Sequence, residues 1–422
     1  MFATLAGDGH FNPLTGLAKY LQGAGCEVAW YSSKKYAERL KNLGIRHFPY
    51  VQALEITHID ENFPERSKIK DPIERINFDT INGINNRAPE FYEDMRALHA
   101  EFPFELLVAD HFFTGMPFVR YKMKIPVVSI GVMPLVTSGD GLAPYGMALP
   151  PAGNEEERVK YGELRRSAEE VLFKPSIDSF KAILDNYGIP HRDASVFDIL
   201  VDEADLHLQI GAPSFEYRRK DLGDNIRFIG ALYPYSSPAK GKPWFDERLR
   251  EYAKVVLVTQ GTLEKDIEKI LAPTLEAFAD TDVLVIATTG GHGTAELRKR
   301  FPYENIIVED NIPFNEVMPF ADVYVTNGGY GGVLLSISHQ LPMVAAGVHE
   351  LKNEICTRIG YFRLGIDLKT EKPGSGAIRQ AVDSVMADSS YSDSVSSLSL
   401  ELNGYQSVEL CAGYIADLLC FE

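Results

Sequence analysis

Residues 325–354, V-T-N-G-G-Y-G-G-V-L-L-S-I-S-H-Q-L-P-M-V-A-A-G-V-H-E-L-K-N-E, decide the fold of this chain. The segment opens as a β-branched strand end, passes through Gly328, Gly329, Gly331 and Gly332, and continues as an apolar helical run. Glycines at a strand-to-helix junction let an anion approach the backbone, and the first turn of a helix aims unsatisfied N–H groups at it. Close packing alone can require one or two glycines. Four of them around such a junction point to a bound phosphate. No G-K-[ST] follows, which excludes a Walker A loop, and no run matches G-x-G-x-x-G. Beyond Leu341-Pro342 stands a polar cluster, His349, Glu350 and Asn353, able to hydrogen-bond hydroxyl groups. A diphosphate site followed by a hydroxyl-reading site describes a sugar nucleotide.

Working outward, short apolar strands alternate with helical periodicity on both sides of a Pro/Ser/Gly-rich stretch at 233–243. Strands are expected at 1–6, 26–31, 106–109 and 125–131 in the first half, and at 255–259, 283–287, 305–308 and 323–326 in the second. Helices are expected at 34–43, 265–278 and 405–419, with Asn12 as N-cap of an earlier one. This pattern implies α/β architecture with parallel sheets. The expected domains are 1–230 and 253–400, a linker at 231–252, and a terminal helical segment at 401–422. Two such domains leave a cleft between them, a favoured ligand site. The polar stretches 55–88 and 133–154 read as long loops. Tyr92, Phe112, Phe113, Met133 and Tyr145 are the candidate lining of an apolar acceptor pocket, with solvated insertions as the alternative.

G-D-G-H-F-N-P, residues 7–13, places His10 at the carboxyl end of the first strand, where open α/β sheets bind ligands. A neutral imidazole there can take a proton from a hydroxyl. Asp110 ends another strand of the same sheet and can hold the tautomer of such a ring and stabilise its charge. Asp110 as a plain strand cap, and His111 as a rival for either role, are the alternatives. The other histidines lack metal-ligand spacing, no G-x-S-x-G occurs, and neither a metal site nor a serine hydrolase is expected.

The 422 residues, 45% hydrophobic and 24% charged, fit an ordinary globular chain of two or three domains. A net charge of −17 argues against nucleic acid and anionic membranes as partners. No apolar run is long enough to span a bilayer, and the opening M-F-A-T-L-A-G already reads as a strand, without a basic leader. The four cysteines show no C-x-x-C spacing and read as reduced thiols, so a cytoplasmic location is expected.

G-H-F-N-P near the start, V-A-D at Asp110, Q-G-T after the first strand of the second half, N-I-P at Asn311, and the glycine turn leading into H-E-L-K-N-E occur in that order. Together they resemble the nucleotide-sugar-dependent glycosyltransferases of the macrolide and plant UDP-glycosyltransferase type. The resemblance implies the GT-B fold: two Rossmann-like domains facing across a cleft, with the C-terminal helix crossing back to the N-terminal domain. It implies His10 as general base and Asp110 as its partner. Gly261-Thr262 match a pair bordering the donor phosphates, Ile312-Pro313 the segment whose backbone reads the uracil edge, and Asn311 the position of a ring stacked on the base. Asn327, Gly329, Gly331, Gly332 and Val333 match the diphosphate site, and His349, Glu350 and Asn353 the sugar-hydroxyl site. Departures from the family pattern are Asn311 for an aromatic ring, Asn327 for histidine, Leu335 for an acidic residue, and His349-Glu350 for Asp-Gln. The implied activity is inverting transfer of a sugar, with glucose from UDP-glucose expected, to a hydroxyl of a hydrophobic, phenolic or polyketide-like molecule. No cofactor beyond the UDP-sugar co-substrate is expected, and the chain is expected to be a monomer or weak dimer. A nucleotide-sugar epimerase of the same fold and a non-catalytic nucleotide-sugar binder are the competing functions.

Overall fold

Short, fully buried, β-branched strands such as K-V-V-L-V-T cannot stand at a solvated surface; they need cover on both faces, which parallel sheets receive from crossover helices. The computed structural model, which describes residues 1–56, 59–236, 243–261, 264–349 and 351–420, has two such sheets. The first contains β1 (Phe2–Ala3), β2 (Ala29–Ser32), β3 (Arg46–Pro49), β4 (Leu107–Asp110), β5 (Val127–Gly131), β6 (Leu206–Gln209) and β7 (Ile226–Phe228). The second contains β8 (Lys254–Thr259), β9 (Val283–Thr288), β10 (Ile306–Glu309), β11 (Val323–Thr326), β12 (Met343–Ala345) and β13 (Gly365–Asp367). Their orders are β3-β2-β1-β4-β5-β6-β7 and β10-β9-β8-β11-β12-β13, with parallel pairing throughout. Each order reverses once, between β1 and β4 and between β8 and β11. At such a point the crossover helices leave to opposite faces and open a crevice at the carboxyl ends of the strands. The last helix, Ser407–Cys420, packs back on the helix Leu14–Gly23 of the first half. This is the GT-B arrangement.

Several sequence expectations shift for identifiable reasons. β1 is shorter than 1–6, because the Leu5 N–H leaves the ladder to donate to Asp110 Oδ2 at 2.8 Å. Asn12 is not a side-chain N-cap: a one-turn helix, Asp8–Phe11, begins earlier, and the Asn12 side chain accepts from Arg39 instead. The helix expected at 265–278 is Leu271–Phe278, because Pro273 lacks an N–H and fits only a first turn. The 55–88 stretch is not an irregular loop. It holds the helix Pro72–Asp79, capped by Asp71 and anchored where Asn77 Nδ2 donates to Leu172 O at 2.7 Å. The Ser-rich tract before the last helix is itself helical, Ser389–Asn403, with Val395, Leu398 and Leu402 as its buried stripe. Strands β3 (R-H-F-P), β6 (L-H-L-Q) and β7 (I-R-F) carry charged or polar residues, and β12 and β13 have three residues each, so none forms a distinct apolar run in the sequence. Among the described residues, no helix is long and apolar enough to cross a membrane.

A buried polar chain joins β5 to β6 and matters for stability. The Ser129 hydroxyl lies 3.1 Å from His207 Nδ1, and His207 Nε2 lies 3.2 Å from Gln209 Oε1. Gln209 Nε2 then donates to Met133 O at 2.6 Å, holding the start of the 133–154 loop. Burial lowers the His207 imidazole to about 4 and the nearby His111 imidazole to about 3. Both rings stay neutral in the folded chain at pH values where the unfolded chain protonates them. Stability therefore falls as pH drops below about 6.5 and continues to fall until the folded-state values are reached. At pH 5 the loss is about 2 kcal/mol per ring. Urea midpoints at pH 8 and pH 5 measure it, and His207→Asn should remove about half of this component. A stability profile flat over that interval would contradict the neutral buried rings.

Candidate functional site

The first switch point carries His10 and Asp110. The one-turn helix after β1 brings the His10 ring over the end of β4, where Nδ1 lies 2.9 Å from Asp110 Oδ1. The Asp110 side chain is 0% exposed and that of His10 is 24% exposed. Burial works against ionisation of Asp110. The His10 ring beside it, with His111 and the Leu5 N–H, outweighs burial and holds its carboxyl below the usual range. An ionised carboxylate only accepts hydrogen bonds, so Nδ1 carries the ring proton and Nε2 keeps its lone pair. Phe112 N–H also donates to Asp110 Oδ1, at 3.0 Å. Three donors thus fix the carboxylate and make it more than a strand cap. His111 is not a rival: its Nδ1 accepts the Val132 N–H at 3.3 Å, and its ring is buried in the sheet edge.

The second switch point is built from a repeated tripeptide. β8, β9 and β11 end in Thr259-Gln-Gly261, Thr288-Thr-Gly290 and Thr326-Asn-Gly328, with the three threonines in register. Each glycine has positive φ, 78°, 64° and 82°, and turns the chain sharply off the sheet. At Gly328 a side chain is excluded twice, since a Cβ would also lie 2.5 Å from Cys356 Sγ. The helix Tyr330–Ser338 starts from Gly329, and its first intrahelical bond runs from Val333 N to Gly329 O at 3.0 Å. The N–H groups of Tyr330, Gly331 and Gly332 precede that bond and face out of the helix start. Here lies a cavity of about 390 Å³, within the range of ligand sites, about 300–1,000 Å³. A larger cleft of about 660 Å³, lined by Asp140, Arg158, Glu216 and Lys220 among others, holds none of the sequence-predicted residues.

Gly261, Asn311, Ile312, Asn327, Gly329 and Gly332 all line the smaller cavity, together with Phe314. Phe314 places an aromatic ring in the same cavity wall as Asn311. Gly331 is exposed at the helix start, outside the cavity lining. Val333 does not belong to the anion-binding set: its N–H is bonded to Gly329, and its side chain is in the core. One of the two N–H groups of the Asn327 amide donates to Gln260 O and braces the turn. His349 sits on a turn whose N–H groups donate to Glu371 Oε1 (2.7 Å from His349, 2.6 Å from Val348). Asn353 Nδ2 donates to Gly146 O at 2.7 Å, while its buried Oδ1 has no partner. Thr262 and Glu350 lie outside the described residues.

Of the expected acceptor-side residues, Phe112 stands edge-on to His10, with ring centroids 5.5 Å apart. Met133 and Tyr145 join it in one apolar cluster with Leu135 and Phe197. Tyr92 packs against Phe118 and Tyr187 instead, and Phe113 does not belong there either. It is 0% exposed and packs against Tyr31 and Phe91 on the opposite side, because adjacent residues after a strand diverge. Sequence reading missed the threonines, Gly290, Tyr324 and Glu371. The T-x-G repeat after successive strands was a readable signal for the first two. Burial opposes ionisation of Glu371, but the N–H groups of Val348 and His349 and the Lys269 ammonium hold its carboxyl below the usual range. No local pattern marks it, because it lies over twenty residues from the turn it holds.

Comparison with known proteins agrees with this geometry. Residues 187–407 match the family model described as UDP-glucoronosyl and UDP-glucosyl transferase. The chain is 34% identical over 390 residues to 4'-demethylrebeccamycin synthase of Lentzea aerocolonigenes, covering 92% of this chain and 91% of the relative. It is 30% identical over 415 residues to UDP-glucosyltransferase 1 of Beauveria bassiana, covering 93% and 89%. Among solved structures it is similar to CalG4, the calicheamicin glycosyltransferase, with TM-score 0.77, 19% identity and coverage of 99% and 97%. It is also similar to the glycotransferase of kitacinnamycin, with TM-score 0.76, 20% identity and coverage of 99% and 98%. With two reversed parallel sheets, a turn-lined cavity on one and a His–Asp pair on the other, the chain belongs to the UDP-glucoronosyl and UDP-glucosyl transferase family and is a glycosyltransferase of the GT-B fold.

Proposed function

We propose that this enzyme moves glucose from UDP-glucose to a hydroxyl of a hydrophobic, phenolic or polyketide-like small molecule, with inversion at the anomeric carbon. The observation that carries the proposal is the 2.9 Å contact between His10 Nδ1 and the buried Asp110. It leaves the Nε2 lone pair of a partly exposed ring beside Phe112. The acceptor hydroxyl gives its proton to Nε2 while its oxygen forms a bond to the anomeric carbon. The bond from that carbon to the UDP diphosphate oxygen breaks, and its electron pair leaves with UDP. Asp110 stabilises the imidazolium. The N–H groups at the start of the helix Tyr330–Ser338 stabilise the growing negative charge on the diphosphate. Attack opposite the leaving group turns an α-linked donor into a β-glycoside.

Two relatives support the choice of donor and acceptor class. One is named a UDP-glucosyltransferase, and the other is named as the synthase of 4'-demethylrebeccamycin. An epimerase needs no acceptor pocket, so the apolar cluster of Phe112, Met133 and Tyr145 beside His10 favours transfer to an acceptor, and the oriented imidazole favours catalysis over binding alone. The proposed chemistry requires no metal, so dialysis against EDTA is expected to leave the rate unchanged.

His10→Ala should lower kcat/KM for naphthol and UDP-glucose by about 10²–10⁴-fold with little change in UDP affinity. Near-normal turnover would remove His10 from the base role. A Cβ at Gly329 meets nothing closer than Asn327 Oδ1 at 3.7 Å, so a side chain fits the fold there but intrudes on the cavity wall. Gly329→Val is therefore expected to keep the parent melting temperature and to raise the Kd for UDP about tenfold or more, about 1.4 kcal/mol. Unchanged UDP binding, read by calorimetry, would put the diphosphate elsewhere.

A further inference from the structure

The helix Lys352–Tyr361 grips a backbone segment of the other domain as a binding site grips a ligand. Glu354 Oε1 accepts the Gly146 and Ala148 N–H groups, both at 2.8 Å. Asn353 Nδ2 donates to Gly146 O at 2.7 Å, and the Thr357 hydroxyl donates to Ala148 O at 3.1 Å. Four polar contacts thus hold three consecutive residues, 146–148. Ala148 is kept at φ 53°, a conformation a non-glycine residue adopts only when its surroundings impose it.

Behind this clamp lies a buried ion cluster. Arg358 is 1% exposed; its Nη1 lies 3.0 Å from Glu354 Oε2 and its Nη2 lies 2.7 Å from Glu216 Oε1. The guanidinium also stands over the Tyr217 ring, 4.1 Å from the centroid. Glu216 belongs to the first half of the chain, and its Oε2 accepts the Leu135 N–H at 2.8 Å. Both ends of the loop, Leu135 and 146–148, are therefore tied to one arginine. Between those ties the loop carries Tyr145, which packs with Met133 and Phe112 next to His10.

We infer that Glu354 and Arg358 are positioning residues: they clamp the acceptor-side loop onto the helix carrying Asn353, so that the wall of the acceptor pocket and the sugar-reading segment are set as one unit. This rests on the donor and acceptor assignment proposed above. A buried ion cluster of this kind is weak evidence for stability, since desolvation offsets much of its attraction. Its geometry fits positioning better. With the clamp closed, the incoming hydroxyl and the anomeric carbon share one frame and water is kept from the latter. With it open, water competes and UDP-glucose is hydrolysed.

The test compares Glu354→Gln and the milder Thr357→Val with the parent chain. Hydrogen exchange in peptides covering 144–150 reads the clamp without needing activity. Glu354→Gln should speed exchange there about tenfold or more, and Thr357→Val by less. Thermal shift with UDP should match the parent for both. Transfer to naphthol should fall about tenfold in kcat/KM for Glu354→Gln, while the ratio of UDP-glucose hydrolysis to transfer rises several-fold. A merely structural role would lower the melting temperature and all rates together and leave that ratio unchanged. Unaltered exchange, or faster exchange with an unaltered hydrolysis-to-transfer ratio, overturns the inference. Absence of UDP binding in the parent chain would instead sink the glycosyl-transfer assignment, while the exchange result still decides whether the clamp exists.

Discussion

A parallel sheet whose strand order reverses once must open a crevice at the carboxyl ends of the two strands where it reverses. This constraint acts twice in the chain. At β1 and β4 the crevice receives a histidine and a carboxylate. At β8 and β11 it receives turns of T-x-G sequence and the start of a helix. The carboxyl-end loops of the two sheets also meet. The Tyr330 hydroxyl, from the second crevice, donates to Ile210 O beyond β6 at 2.8 Å, and Glu354 holds the loop after β5. The placing of the His10–Asp110 pair and of the glycine turn at the carboxyl ends of the two sheets, facing one another, is therefore a consequence of topology.

The electrostatics follow a common logic in both halves. The chain carries a net charge of −17, so only local dipoles, and not the global field, favour an anion at the helix start. Neutral backbone N–H groups suit this task, because they need no counter-charge when the site is empty. Two of the buried charges are matched closely: Asp110 by the His10 ring and two N–H groups, Arg358 by two carboxylates. Such matching is required, because an unpaired charge at these depths would unfold or neutralise itself.

The sequence was most legible where local chemistry decides the structure. The strand Val323–Thr326 and the glycine turn were read as they stand, because β-branched runs and clustered glycines have few alternatives. His10 and Asp110 were found from their positions at strand ends, and the contact between them agrees with that reading. Legibility failed where distant groups compete for a backbone or side chain. Asn12 loses its capping role to Arg39, Asn327 braces Gln260, and Phe113 turns into the core while Phe112 stays at the site. Glu371 and Glu354 act on turns far away in the chain, and no spacing announces such partners.

By itself, then, the amino-acid order determined two α/β halves, the glycine turn at a strand-to-helix junction, and the placing of a histidine and an aspartate at strand ends. These rest on periodicity and on the intrinsic conformations of Gly, Thr and Pro, which act within a few residues. Only the tertiary structure decided which N–H groups remain free at the helix start, which aromatic rings face the His10 side of the sheet, and how a loop of one domain is held by a helix of the other. Those outcomes depend on which hydrogen bonds and ion pairs are already satisfied by remote partners, and satisfaction of buried polar groups is a property of the whole packed molecule.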